Sequence, residues 1–255
     1  MRYTDGAEII YHETAATFFA RRLSVALVLS DPPWNTGTIR KAGQASYRDK
    51  FDDYPAEIIA PTLAYARECL TPGGTIAIWT DYRAHPYWCV AADEAGFNRY
   101  GEVVVEALLG NPGRRQWPVK HGNIMLASVG EPRFFYDKMP LVDRRSAPKI
   151  VAGKTYQGPK RVGSVVQGTL SNSARERTGY PDQKPLHVLR ALIACHTEAG
   201  DIVCDPYCGS GSTLVAALGM GRGAVGCDEG AAACDVARSW VKRVVAESAQ
   251  QRMYP

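Results

Sequence analysis

Residues 203–213 read Val-Cys-Asp-Pro-Tyr-Cys-Gly-Ser-Gly-Ser-Thr, an apolar strand followed by a glycine-rich turn and the start of a helix. Glycines in such a turn allow positive φ angles and a close approach of the backbone to a ligand. A dinucleotide fingerprint would need a third glycine at position 214, which is Leu, and no Walker Gly-Lys-Ser/Thr follows. Asp228 ends the next predicted strand, where an acid accepts hydrogen bonds from ribose hydroxyls. The pattern favours a nucleoside site without a pyrophosphate, and the simpler alternative is a surface turn with an exposed carboxylate.

Short apolar runs alternate with helix-length segments along the chain, which predicts an α/β fold with a mostly parallel sheet. The predicted strands cover residues 8–12, 25–30, 75–80, 102–109, 123–129, 202–205 and 223–228. The predicted helices cover residues 14–22, 55–70, 85–95, 185–197, 212–218 and 231–246. Between residues 130 and 179 the periodic pattern fails, and Gly, Pro, Ser and basic residues predict an inserted loop-rich region.

Length and charge limit the class of protein. A chain of 255 residues is long enough for one domain with a small insertion. The net charge is only +4, yet residues 138–179 hold nine basic and two acidic residues, a net charge of +7. A basic segment on a slightly acidic body predicts that this segment contacts a polyanion.

Cysteine usage indicates the cellular compartment. Seven cysteines, an odd number that mostly falls in apolar runs, argue against a disulfide framework and for a reducing compartment. Cys204, Cys208, Cys227 and Cys234 show no Cys-x-x-Cys spacing, so we expect no metal site. The sequence shows neither a bilayer-spanning segment nor an N-terminal signal pattern. We therefore expect a cytoplasmic protein that makes no membrane contact.

The tetrapeptide Asp31-Pro32-Pro33-Trp34 follows the apolar run of the second predicted strand. Two adjacent prolines remove two N–H donors, so the turn offers a carboxylate and carbonyl oxygens beside an indole face. An enzyme that methylates the amino group of a nucleobase needs these three groups. A strand-ending turn with an unrelated aromatic residue is the alternative, since Pro-Pro pairs are common in turns.

Three motifs together resemble the amino-group DNA methyltransferases that use S-adenosylmethionine, in the permuted arrangement called the β group. Residues 31–37, Asp-Pro-Pro-Trp-Asn-Thr-Gly, are similar to the catalytic D-P-P-Y/W motif of that family. Residues 180–185 are similar to its H-P-T-Q-K-P element and depart from it at Tyr180 and Asp182. Residues 205–213 are similar to its D-P-F-C-G-S-G-T-T cofactor loop.

The resemblance implies a circularly permuted, Rossmann-like methyltransferase fold with a mostly parallel sheet. Residues 1–129 would form the catalytic half, 130–179 an inserted basic target-recognition region, and 180–255 the cofactor-binding half. Both loops would then lie at the carboxyl ends of neighbouring parallel strands, where open α/β sheets bind ligands. Members of the family often carry an Asp just after the first strand, and Glu13 is the candidate to replace it here.

The resemblance also assigns roles to individual residues. The Asp31 carboxylate and the Pro32 carbonyl would accept the two N–H bonds of the target amino group, and Trp34 would stack on the base. The catalytic candidates are Asp31, Pro32, Pro33 and Trp34. The S-adenosylmethionine-binding candidates are Gln183, Lys184, Pro185, Asp205, Pro206, Tyr207, Cys208, Gly209, Ser210, Gly211, Thr213 and Asp228. The DNA-binding candidates are Arg114, Arg115, His121, Arg144, Arg145, Lys160 and Arg161.

The leading hypothesis is a site-specific adenine-N6 methyltransferase that flips its target base out of duplex DNA. Cytosine-N4 transfer uses the same geometry, but that branch more often has Ser before Pro-Pro. RNA adenine methyltransferases also use D-P-P-W, although the elements at 183–185 and 205–213 look more like the DNA group. A non-catalytic nucleic-acid-binding relative would not require both Asp31 and the cofactor glycines. A homodimer and a companion restriction endonuclease are further expected partners.

Overall fold

A computed structural model describes residues 9–33, 56–106, 120–142, 149–151, 154–156, 159–168, 176–180 and 183–253. Its strands are β1 (Ile10–His12), β2 (Val25–Ser30), β3 (Leu70–Thr80), β4 (Asn98–Glu106), β5 (His121–Ser128), β6 (Leu141–Val142), β7 (Lys149–Val151), β8 (Lys154–Tyr156), β9 (Lys160–Arg161), β10 (Val165–Gln167), β11 (Ile202–Asp205) and β12 (Gly223–Asp228). Its helices are α1 (Ala15–Phe18), α2 (Ala56–Cys69), α3 (His85–Glu94), α4 (Leu186–His196), α5 (Ser212–Leu218) and α6 (Ala231–Met253). A short 3-10 turn covers Tyr136–Lys138.

The central sheet has eight strands in the order β1-β12-β11-β2-β3-β5-β4-β10. Neighbouring strands are parallel except where β5 pairs with β3 and with β4. All six residues of β2 are buried, as expected for a strand covered on both faces. Its alternate side chains supply two cores: Leu27 packs with α4, α5 and α6, and Val28 packs with α1, α2 and α3. The predicted α/β class with a mostly parallel sheet is therefore confirmed.

The two halves of the chain meet in the middle of the sheet. β11 pairs with β2 through Val203 opposite Leu27, although these residues are far apart in sequence. From β11 the chain continues through α5 to β12 on one side, and from β2 it continues through α2 to β3 on the other. The order of strands reverses between β2 and β11, and ligands bind at such a switch point, outside the carboxyl ends of the strands.

Several element boundaries differ from the prediction. β2, β11, β12 and α5 have the predicted bounds, whereas α1 ends at Phe18 instead of residue 22 and α6 extends to Met253. Residues 71–74 were expected to separate a helix from a strand, but β3 begins at Leu70 because Leu70 already pairs with Val25. The four residues form an irregularity inside β3, in which Gly73 has a φ of +75° and its N–H donates to the Val129 carbonyl.

The region 130–179 contains regular structure that periodicity did not predict. Its strand β10 pairs in parallel with β4 and forms one edge of the central sheet. Two small antiparallel pairs, β6 with β9 and β7 with β8, lie in the same region. The division of the chain at residues 129 and 179 stays a prediction, although this region is joined to the main sheet.

Two features of the described residues concern membranes and metals. None of the helices in the described ranges has the length and apolar character needed to cross a membrane. All seven cysteines are free, and no group of metal-ligating side chains occurs within the described part of the chain.

Candidate active site

A cleft of about 650 Å³ opens at the carboxyl ends of β2, β11 and β12. Many predicted site residues line it: Asp31, Pro33, Lys184, Asp205, Pro206, Tyr207, Cys208, Gly209, Ser210, Thr213 and Asp228. Pro32, Gln183, Pro185 and Gly211 do not line it directly. The residues that line it without having been predicted are Ala15, Ala16, Phe19, Glu57, Ile58, Pro61, Trp79, Tyr180, Ser212 and Glu229. Residues of the motifs predicted to be catalytic and to bind the cofactor therefore share one cleft.

Asp205 lies at the floor of the cleft, at the end of β11. Its Oδ1 accepts hydrogen bonds from the Ser30 hydroxyl at 2.5 Å and from the Tyr207 N–H at 3.1 Å. Burial, with a smaller contribution from the nearby Asp31, raises the pKa of Asp205 to about 6, although the hydrogen bonds from Ser30, Thr213 and Tyr207 oppose the rise. The fold therefore keeps a carboxylate in a position where ionisation is costly.

Two glycines near the cleft, one in the glycine turn and one in β12, have no room for a side chain. Gly211 has a φ of +82°, and a Cβ there would lie 2.9 Å from the Ala237 Cβ. On the neighbouring strand, a Cβ on Gly226 would lie only 2.5 Å from the Asp205 carbonyl oxygen. The turn consequently packs directly against α6, and β12 packs directly against the end of β11, where the turn begins.

Asp228 organises the glycine turn. Its Oδ2 accepts from the Gly209 N–H at 2.9 Å, and its Oδ1 accepts from the Gly230 N–H at 2.8 Å. Each carboxylate oxygen has a second lone pair, so these bonds leave acceptor capacity for a ligand hydroxyl. Glu229, the exposed neighbour of Asp228, adds a second acid at the rim that sequence reasoning missed.

Asp31 forms an ion pair with Lys184 in the lining of the cleft. The Lys184 Nζ contacts the Asp31 Oδ2, and the two side chains are only 18% and 24% exposed, respectively. The same Nζ lies 5.6 Å from the centre of the Trp79 ring. Trp79 is at the end of β3, so three neighbouring elements of the fold supply this cluster.

Another part of the lining of the cleft comes from α1, α2 and the residues that follow β11. The Tyr207 hydroxyl shares a hydrogen bond of 2.8 Å with the Thr62 hydroxyl. The Phe19 ring meets the Tyr207 ring edge-on, with ring centres 6.5 Å apart. Glu57 and Ile58, in the first turn of α2, extend this part of the lining and gave no sequence signal because they belong to an ordinary amphipathic helix.

Three candidates have structural partners instead of facing the cleft. The Gln183 amide oxygen accepts from the Thr178 N–H at 2.9 Å and from its hydroxyl at 2.8 Å. Pro185 is the N-cap residue of α4. Both oxygens of Glu13 accept from the Arg21 guanidinium, at 2.8 and 3.2 Å, so this carboxylate is already engaged by the protein.

The DNA-binding candidates in the described ranges lie at opposite ends of the sheet. His121 begins β5 and pairs with Glu106, at the same edge as the cleft. Arg161 donates to the carbonyls of Asp137 and Met139, at 2.7 and 3.0 Å. The segment that holds these carbonyls is attached to the end of α4, shortly before β11 begins, because the Phe135 N–H donates to the Cys195 carbonyl. β9, which consists of Lys160 and Arg161, therefore lies at the amino end of the sheet. Trp34, Arg114, Arg115, Arg144 and Arg145 lie outside the described residues.

The sequence of this chain matches the pattern of one known protein family. The pattern that defines the N6/N4 DNA methylases matches residues 25–239, so the chain belongs to the N6/N4 DNA methylase family. The match includes Asp31, Lys184, Asp205 and Asp228, the residues that converge in the cleft.

Individual relatives extend over most of the chain. The Type II methyltransferase M2.DpnII of Streptococcus pneumoniae is 26% identical over an alignment of 267 positions, which covers 96% of this chain and 92% of the relative. The DNA adenine methyltransferase YhdJ of Escherichia coli is 25% identical over 249 residues, and the match covers 88% of this chain and 79% of that relative. The solved PvuII cytosine-N4 DNA methyltransferase superposes with a TM-score of 0.66 at 15% identity, covering 93% of this chain and 92% of that one. This structural likeness shows that the fold is shared.

Proposed function

We propose that this protein transfers a methyl group from S-adenosylmethionine to the exocyclic N6 of adenine at specific sites in duplex DNA. The observation that carries the proposal is the position of Asp31. Its carboxylate follows β2 and faces the same cleft as Asp205 and the glycine turn, which follow the neighbouring strand β11. A target amino group bound at Asp31 would therefore lie beside a cofactor bound at the glycine turn.

The charge of the cleft suits S-adenosylmethionine. Asp31, Glu57, Asp205, Asp228 and Glu229 are acidic, and Lys184 is the cation among the described residues that line the cleft. When bound, S-adenosylmethionine supplies a transferable methyl group on a positively charged sulfur, and an acidic cleft favours such a ligand.

The glycine turn and the end of β12 would hold the nucleoside part of the cofactor. The remaining lone pairs of Asp228 suit ribose hydroxyls, and the turn around Gly209 and Gly211 lets the ligand approach the backbone. Tyr180 lies against the turn, since a Cβ on Gly209 would be 3.7 Å from its ring. This contact connects the 180–185 element to the cofactor loop.

Asp31 and Pro32 act on the target amino group. The Asp31 carboxylate and the Pro32 carbonyl accept its two N–H bonds and so direct the nitrogen lone pair toward the methyl donor. Because these acceptors are fixed at the end of β2, they contribute by orientation and by stabilising positive charge as it develops on nitrogen. Trp34 is the proposed stacking surface for the base.

Two observations support adenine over cytosine. An Asp precedes Pro32-Pro33, where cytosine-N4 enzymes more often have Ser, and one relative is named as a DNA adenine methyltransferase. Cytosine-N4 methylation is the second candidate, because the PvuII enzyme of the same fold acts on cytosine N4. The basic region 130–179 is the proposed target-recognition region, and a homodimer and a companion restriction endonuclease stay predictions.

One experiment identifies the reaction. The protein is incubated with radiolabelled S-adenosylmethionine and either duplex DNA or RNA, and the product is digested to nucleosides and separated. We expect labelled N6-methyladenine from DNA alone, and no label with the Asp31→Ala variant even though that variant still binds the cofactor. Labelled N4-methylcytosine would favour the second candidate, and label in RNA alone or retained turnover by Asp31→Ala would contradict the proposal.

A further inference from the structure

We propose that Lys184 is a positioning residue that orients the Asp31 carboxylate for the target amino group, and not a ligand of the cofactor. This inference rests on the proposed function. Sequence similarity assigned Lys184 to the cofactor site, but its ammonium group contacts the Asp31 Oδ2.

Lys184 fixes one oxygen of the carboxylate. A carboxylate without a partner rotates about its Cβ–Cγ bond, so either oxygen can face a substrate. The ammonium contact holds the carboxylate in the orientation in which Oδ1 is buried, so the second lone pair of Oδ2 is the acceptor for an N–H of the target amino group. A fixed acceptor holds the amino group in one orientation, and in-line methyl transfer requires that the nitrogen lone pair point at the methyl group.

The Lys184 backbone is itself held on both sides. Gln183 is buried. Its Oε1 accepts a hydrogen bond from the Thr178 N–H, and its Nε2 donates one to the Glu176 carbonyl. The Glu176 carboxylate in turn accepts the Leu186 N–H at 3.0 Å, which caps the first turn of α4. These bonds give Gln183 a role in the site although it does not line the cleft.

The Trp79 ring and the buried Asp205 favour a positive charge at the position of the Lys184 ammonium group. The indole face 5.6 Å from the Lys184 Nζ attracts an ammonium group. Asp31 and Asp205 end neighbouring strands, and Asp31 disfavours ionisation of Asp205, so the two carboxylates repel each other. A positive charge at Lys184 reduces that repulsion and keeps Asp31 in the orientation that faces the cleft.

The test compares Lys184→Met with Lys184→Arg, which keeps the charge, and with Lys242→Met, the same change at an exposed position of α6. Binding of labelled S-adenosylmethionine is measured by equilibrium dialysis. The methyl-transfer rate constant is measured in single turnovers at saturating cofactor and duplex DNA. Thermal melts of all variants report folding.

We expect Lys184→Met to slow the single-turnover step about 10- to 100-fold while its cofactor Kd stays within about 3-fold of wild type. Lys184→Arg should stay within about 5-fold of the wild-type rate, because a cation still holds the carboxylate. Lys242→Met should match wild type in every measurement.

Three results would overturn the inference: a cofactor Kd weakened about 10-fold with an unchanged rate at saturation, unchanged rates in Lys184→Met, or an Arg variant as slow as the Met variant. The first would make Lys184 a cofactor ligand. If wild-type protein methylates no DNA, the proposed function itself fails, which is a distinct outcome.

Discussion

Replacing Asp205 with Asn is expected to stabilise the fold at neutral pH while weakening cofactor binding. Asp205 is 3% exposed, and its Oδ1 accepts from Ser30 and from the Tyr207 N–H. An Asn carbonyl can accept the same two bonds in the same volume. The substitution therefore removes a buried negative charge and keeps most of the contacts.

The magnitude follows from the pKa of Asp205. Burial raises this pKa to about 6, compared with about 3.9 in an unfolded chain, so the folded state disfavours ionisation by about 3 kcal/mol. This cost is fully present above pH 6, decreases as the pH falls from 6 toward 3.9, and is absent below that. The Asn variant should thus be more stable than wild type by at most about 3 kcal/mol at pH 7.5, and the difference should shrink as the pH approaches 4.

Urea denaturation at pH 7.5, 6 and 4.5 measures this difference, and Asp235→Asn is the control because that side chain is 79% exposed. The control should change the free energy of unfolding by less than about 0.5 kcal/mol at each pH. If Asp205→Asn is less stable than wild type at pH 7.5, or if the difference does not depend on pH, the reasoning is wrong. A parallel dialysis measurement should show weaker cofactor binding, since the variant lacks the charge that attracts the cofactor.

Two further predictions concern a glycine of β12 and an arginine of the basic region. Gly226→Ala should lower the free energy of unfolding by about 1–3 kcal/mol and weaken cofactor binding, because its Cβ would lie 2.5 Å from the Asp205 carbonyl oxygen. Gly163→Ala, with no atom within 4 Å of the added Cβ, is the matched control, and equal melting temperatures for the two variants would contradict the packing argument. Arg161→Met should cost about 1–2 kcal/mol of stability through its lost carbonyl contacts but leave DNA affinity within about 2-fold at fixed salt. A large loss of DNA affinity at unchanged stability would instead assign Arg161 to DNA binding.

Local patterns predicted the parts of the fold that depend on local physics. The apolar run of β2 and the strand, turn and helix around 203–213 have the expected bounds, because burial and glycine conformation act within a few residues. β10 was missed because a strand of three residues, flanked by polar segments, has no detectable period. Its pairing with β4 depends on a contact between distant parts of the chain.

In the candidate site, too, local motifs were predicted, whereas contacts between distant residues were not. The motifs identified Asp31 and Asp205 as acids that end buried strands, and the fold brings them to adjacent strands. The partners of Lys184 could not be predicted from its motif, since its ammonium reaches Asp31 across a separation of 153 residues. Trp79 gave no signal either, because an aromatic residue in an apolar strand is typical of any core.

The charge of the cleft bears on how DNA reaches it. Five acidic side chains and one lysine, among the described lining residues, would repel a phosphate backbone. A neutral base can enter such a cleft only if its phosphates stay outside, so we infer that the target base leaves the stack while the backbone stays at the rim. Positive charge for the backbone must then lie at the cleft edge of the sheet, where Lys120 is exposed beside β5. Arg161 lies at the other end of the sheet, and this is why its removal should affect stability more than DNA affinity.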